Sequence, residues 1–162
     1  VVQMTMTTFD DKLTSILEPN ASTTYERYQV LKQCQERNIP TVVWLCPILP
    51  YINDTRENIE GILSYCIDAN VRGILCFGMG LTLREGNRDY FYKKLDDYFP
   101  GIKQKYQQIY GHSYHVLSPN HRELMNLFEK TCQENGILYK VDDVFSYMHR
   151  FEDNANVQLS LF

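Results

Sequence analysis

The first hundred residues alternate between two hydrophobic rhythms: short apolar runs, and stripes that recur every three or four positions. Val1 to Thr7 is the first run and reads as a strand. Thr23-x-x-Glu26 forms a capping box ahead of a helix, along which Tyr25, Tyr28, Leu31 and Cys34 recur every third residue until Asn38-Ile39-Pro40 ends it. Thr41 to Cys46 is apolar on both faces, as a strand held between two layers must be, and Pro47 and Pro50 forbid its continuation. Asp54 is placed to cap the next helix, whose Ile59, Ile62, Leu63, Cys66 and Ile67 follow the i, i+3, i+4, i+7, i+8 pattern of a core-facing stripe. Arg72 to Phe77 predicts a third strand at once. Three strand-then-helix units with short connections predict a parallel α/β architecture.

The rhythm changes after Gly78. Gly78-Met79-Gly80 lacks the third glycine and the following helix of a dinucleotide fingerprint, so it reads as a turn. A polar loop, Arg84 to Arg88, leads into an aromatic helix with Tyr90, Phe91, Leu95 and Tyr98. Phe99-Pro100-Gly101 breaks that helix before a short one with Ile102, Tyr106 and Ile109 on one side. A last helix is predicted from Ser118, with Pro119 in its first turn, through Leu124, Leu127, Phe128 and Cys132 to a stop at Asn135-Gly136. Beyond Val141 the pattern predicts no element, and Asn154 to Phe162 reads as a tail. Residues 1–100 are thus expected to form the βα units, 101–150 a helical C-terminal extension, and 151–162 a tail.

Composition narrows the function. A length of 162 residues with 44% hydrophobic and 13% aromatic content suits one globular domain with a buried core. A net charge of −4 excludes a uniformly basic surface, so any nucleic acid must be held by a local site. The five cysteines, Cys34, Cys46, Cys66, Cys76 and Cys132, are widely spaced in mostly apolar surroundings and include no C-x-x-C pair. That suits buried free thiols in a reducing cytoplasm rather than a zinc or iron–sulfur site on this chain alone. No apolar run reaches the about 18 residues of a membrane span. His112 and His115 form an H-x-x-H, but Gly111 and Ser113 predict a loop there rather than a metal-binding helix face.

In α/β folds ligands gather at the carboxyl ends of parallel strands, here Thr5 to Thr8, Cys46 to Pro50 and Phe77 to Gly80. Read from the residues alone, threonine fills strands because it is β-branched, and proline and glycine end them. The order Met4-Thr5-Met6-Thr7-Thr8, Glu18-Pro19-Asn20-Ala21, Arg27, Cys46-Pro47, Arg84 to Tyr92 and Phe99-Pro100-Gly101 also resembles the second half of radical S-adenosylmethionine (SAM) enzymes of the spore photoproduct lyase-like, or DNA repair photolyase, family. The resemblance implies the C-terminal half of a partial (β/α)6 TIM-type barrel. It gives Thr5 and Thr7 hydroxyl contacts to SAM at one strand end, and gives Cys46-Pro47 backbone contact to adenine at the next. Arg27 with Glu18 is either an ion pair bracketing the loop after the first strand or a guanidinium beside the SAM carboxylate.

In that family a C-x-x-x-C-x-x-C loop supplies a 4Fe-4S cluster whose electron cleaves SAM to a deoxyadenosyl radical, and no such loop occurs here. Because the sequence opens at Val1-Val2 without a methionine, it is expected to be part of a longer protein and inactive alone. The upstream strands, or a second copy of the chain, are expected to cover the free edge of the sheet. The last residues, Gln158, Leu159, Ser160, Leu161 and Phe162, match the peptide that docks on bacterial sliding clamps, with leucine and phenylalanine anchors behind a polar lead. Two rivals stand beside the enzyme: a non-catalytic clamp-associated repair factor, and an unrelated half-barrel that binds a phosphate-bearing ligand.

Overall fold

The three expected strands form one parallel sheet in the order β1-β2-β3, with β1 at Val2–Thr5, β2 at Thr41–Trp44 and β3 at Gly73–Leu75. The structure, a computed structural model, describes residues 1–150. Register aligns Met4 with Val43 and Val43 with Ile74, and aligns Thr5 with Trp44 and Trp44 with Leu75 on the opposite face. On the first face Met4, Val43 and Ile74 pack into the main core together with Leu31, Ile62 and Phe128. These come from helices α2 (Thr24–Glu36), α3 (Arg56–Asp68) and α6 (His121–Glu134). Thr23 and Glu26 make the predicted capping box in full.

Several helix ends differ from expectation. Thr55, not Asp54, caps α3, its hydroxyl accepting from the Asn58 N–H at 3.2 Å. Asp54 is instead buried and accepts a bond from the Ser118 hydroxyl, so its carboxylate ties the start of α3 to the segment before α6. Helix α6 begins at His121, because the Ser118 hydroxyl accepts the Asn120 N–H at 2.9 Å and holds Ser118 and Pro119 in a turn. Two further helices lie where none was expected. Helix α1 (Asp11–Leu17) is capped by Asp10, which accepts from the N–H groups of Lys12 and Leu13. Helix α7 (Val141–Met148) lays Val144 and Phe145 over the second face of the sheet, against Val42, Leu75 and Trp44.

Gly73 explains how α7 sits so close. A Cβ there would stand 3.2 Å from the Val144 Cγ2 and 3.3 Å from the Leu138 Cβ. Leu138 pairs with Gly73 in a parallel bridge, the Ile74 N–H donating to its carbonyl at 2.8 Å, so the outer edge of β3 is partly paired.

Residues 80–117 build a second core. Strands β4 (Gly80–Thr82) and β5 (His115–Leu117) pair antiparallel, and helices α4 (Asn87–Tyr98) and α5 (Ile102–Tyr110) close over them. Leu95, Tyr106 and Val116 fill the interior, and the Tyr106 hydroxyl donates to the Pro50 carbonyl at 3.0 Å, joining this unit to the loop after β2. The Arg88 guanidinium donates to the carbonyls of Leu83, Gly111, His112 and Ser113 at 2.8–3.2 Å, so a residue expected in a polar loop fastens the α5–β5 turn to α4. His112 lies in that turn and His115 in β5, so the H-x-x-H spans no helix. No helix among the described residues is long and apolar enough to cross a membrane.

Gly80 marks the tightest approach in the second unit: an added Cβ would meet the Val116 carbonyl oxygen at 2.2 Å. Gly80→Ala must push β5 away, and it is expected to cost about 2 kcal/mol, lowering Tm by about 4–8 °C in thermal denaturation.

All five cysteines are free, with Cys46 half-buried and the other four buried. Burial pushes the Cys76 thiol up to about 11 and the Cys132 thiol up to about 12, with minor contributions from Glu129 and neighbouring thiols. Because the folded chain holds these protons more tightly than the unfolded one, their contribution to stability is complete below the unfolded thiol pKa of about 8.5. It is lost as pH rises through the folded values. Native-state alkylation at neutral pH should therefore label Cys46 first, with the others reacting only on denaturation. Chemical denaturation should show stability declining above about pH 9.

Candidate functional site

A cavity of about 540 Å³ opens at the carboxyl ends of β1 and β2, on the seam between the sheet and the second unit. Thr5, Thr7, Glu18, Pro19 and Pro47 line its polar end. Ile52, Leu81 and, from α4, Phe91 and Leu95 line its apolar end, and Tyr90, Lys94 and Tyr98 follow along the same helix. The volume and the mix of apolar wall with a few convergent polar groups are those of a small-molecule site.

The polar end is rigid because almost every group is bonded. The Thr7 hydroxyl donates to the Glu18 Oε2 at 3.0 Å, and the Arg27 guanidinium donates to the same oxygen at 2.9 Å and to the Thr5 carbonyl at 3.0 Å. The Arg27 side chain is only 7% exposed, against 27% for Glu18. Arg27 therefore does not line the cavity; it stands behind Glu18 and fixes the carboxylate that does. Arg27 thus makes the ion pair with Glu18 that brackets the loop after β1. The two bonds to Glu18 share Oε2, which leaves Oε1 to meet a donor from a ligand.

The opposite side of the same strand end is held by two buried asparagines that sequence reasoning passed over. Asn53 Nδ2 donates to the Thr7 carbonyl at 2.7 Å, and Asn58 Nδ2 donates to it at 3.2 Å. Asn58 Oδ1 accepts the Phe9 N–H at 2.6 Å, and Asn58 Nδ2 reaches the Asn53 carbonyl at 2.8 Å. Asn53 Oδ1 in turn accepts the Leu49 N–H, so both amides bond backbone as donor and acceptor and fix the course of Thr7, Thr8 and Phe9. Asn58 sits at a polar position beside the apolar stripe of α3, and that break in an otherwise buried face is the signal that could have found it.

The predicted site residues divide accordingly. Thr5, Thr7 and Pro47 come together in the cavity, while Arg27 lies behind it and Cys46 is absent from its lining. The Cys46–Pro47 peptide is cis, and burial pushes the Cys46 thiol up. Among the described residues no three histidine, cysteine or acidic side chains stand close enough to hold a metal ion. The expected partner-binding residues Gln158, Leu159, Leu161 and Phe162 lie outside the described residues.

With this geometry in hand the chain can be set beside known proteins. No protein-family model matches it, and no solved structure does. An uncharacterized protein of Mycobacterium bovis is 24% identical over 124 residues, covering 76% of this chain and 36% of that protein. An uncharacterized protein of Mycobacterium tuberculosis gives the same figures. An uncharacterized protein of Acidianus two-tailed virus is 30% identical over 93 residues, covering 56% of this chain and 30% of its own length. The chain spans about a third of the length of the curated relatives it matches.

Proposed function

We propose that this chain is the later part of a longer radical SAM enzyme of the spore photoproduct lyase-like family, acting on nucleic acid in the cytoplasm. Its parallel sheet is then half of a partial (β/α)6 barrel, completed by strands from the rest of the protein. The observation that carries this reading is the cavity at the carboxyl ends of β1 and β2, where Thr5, Thr7 and Pro47 converge as the resemblance requires.

The residues fit SAM in their donor set. Thr5 offers a hydroxyl, the Thr7 hydroxyl, which donates to Glu18, can still accept, the Glu18 carboxylate is held in place to accept from a sugar or amino group, and the apolar end suits a purine. SAM would supply the reactive fragment; this chain's part is to bind, orient and exclude water. Arg27 holds Glu18 in place through the ion pair, and the asparagine pair prevents the strand end from shifting under a ligand. The described residues bring no three metal-binding side chains together, so on this reading a 4Fe-4S cluster would take its thiolates from the rest of the protein.

The test uses the full-length protein after anaerobic reconstitution, reading SAM affinity and reductive release of 5′-deoxyadenosine. Thr5→Ala and Thr7→Ala are each expected to weaken SAM binding by about 5- to 10-fold, the size of one lost hydrogen bond. Unchanged affinity in both variants, or no SAM binding at all, overturns the enzyme and favours the half-barrel with a phosphate-bearing ligand.

The C-terminal peptide supports a second element of the reading. Gln158 to Phe162 repeats the anchor pattern of sliding-clamp partners, so the tail is proposed to bring the protein to a clamp on DNA. Deleting these five residues should abolish co-precipitation with the purified clamp while leaving SAM affinity unchanged. Clamp binding together with an absence of SAM binding would leave the accessory-factor role in its place.

A further inference from the structure

Along α4, Tyr90, Lys94 and Tyr98 fall at i, i+4 and i+8, so all three point to one side, and all three line the outer part of the cavity. Tyr90 is 65% exposed and Tyr98 is 50% exposed, although both are large aromatic residues. The Lys94 ammonium lies between them, 5.7 Å from one ring centroid and 5.6 Å from the other. Its acidic neighbour, Asp97, is at 3.9 Å, a long and solvent-screened pair that leaves the ammonium available. Among the described residues, Lys94 is the one cation lining this cavity.

We propose that this stripe is a docking platform for a single-stranded polynucleotide, with a base stacked on each tyrosine and the intervening backbone on Lys94. The proposal rests on the nucleic-acid reading above and deepens it by naming the strand state and the residues. Eight residues of helix put the two tyrosine Cα atoms about 12 Å apart, and the lysine between the rings, 5.7 Å from one centroid and 5.6 Å from the other, keeps them from being farther apart than that rise. Bases in a duplex strand lie only about 3.4 Å apart, so neighbouring stacked bases cannot reach both rings. A strand whose bases are already splayed can, and stacking on exposed rings accepts any base because each has a π-face. The lysine matches the charge of one backbone phosphate. With a single cation the platform has little electrostatic pull, in keeping with the chain's net charge of −4. Its position at the cavity mouth makes the bound strand continuous with the site, so the next nucleotide along it can reach a ligand held over Thr5 and Thr7.

The test is fluorescence anisotropy of this chain with a short labelled oligothymidylate, a duplex of the same length and an abasic strand of the same length. Oligothymidylate should bind, and the other two should bind at least about 10-fold more weakly. Replacing both tyrosines, Tyr90→Ala with Tyr98→Ala, should weaken binding by about 10- to 100-fold, whereas Tyr90→Phe with Tyr98→Phe should retain it within about 2-fold. Lys94→Ala should reduce the salt slope by about 0.7, the value for one single-strand phosphate. Both rings are exposed, so the variants should keep the far-UV circular dichroism and Tm of the parent chain. Equal binding of the duplex or the abasic strand, an alanine pair that binds as before, or no binding by the unaltered chain overturns the platform. The readout needs neither cluster nor SAM. Loss of SAM binding with oligothymidylate binding intact would therefore remove the enzyme reading and leave this one standing.

Discussion

The carbonyl of Thr7 is the point on which the site hangs. It accepts from Asn53 and Asn58 at once, and through them β1 is tied to the loop after β2 and to the first turn of α3. On the other side of the same residue the hydroxyl reaches Glu18, which Arg27 holds from behind. A strand end would otherwise be the least constrained part of a parallel sheet, since its ladder stops there. Here backbone and side chain of one threonine are both committed, so the cavity has a fixed polar end before any ligand arrives. Leaving either asparagine amide unpaired in this buried setting is costly, which makes the arrangement close to all-or-none.

Much of the fold was legible because its main signals are local. Ile59, Ile62, Leu63 and Cys66 are buried where the helical period puts them, and Thr41 to Trp44 is covered on both faces as its continuous apolar pattern implies. The errors have identifiable causes. Asp54 looks like a helix cap, yet its carboxylate serves a serine more than sixty residues away, a partner that sequence spacing cannot show. Arg84 to Arg88 reads as a loop because charge suggests solvent, but Arg88 satisfies three carbonyls of a distant turn and that of nearby Leu83. Helix α7 was in fact visible: Val141, Val144, Phe145 and Met148 follow i, i+3, i+4 and i+7, and Asp142 and Asp143 favour its positive N-terminus. Helix α1 gives only a cap, Asp10, and is too short for a stripe to emerge.

The site itself was half legible. Hydroxyls at one strand end and a proline at the next could be placed from topology alone, because parallel strands bring their carboxyl ends together whatever their sequence. The contributions of α4 could not, since they depend on how the second unit folds back over the sheet. Strands β4 and β5 are three residues each and join segments more than thirty residues apart, too short for an alternating pattern to declare them. Arg27 shows the complementary limit. Its identity marks an anion partner, but only burial decides whether that partner is a ligand or a neighbouring carboxylate, and here it is Glu18.

The seam on which the cavity lies gives the molecule a property that neither core has by itself. One wall belongs to the parallel sheet and the other to the α4–α5 unit, so the apolar interior is interrupted there rather than continuous. Whatever fills the gap touches both halves and acts as mortar between them, coupling occupancy to the cohesion of the whole chain. By mass action, a ligand at a hundred times its dissociation constant would add about 2.7 kcal/mol to that cohesion. A ligand of this cavity would therefore tighten the whole chain, and melting temperature would report its binding without a label.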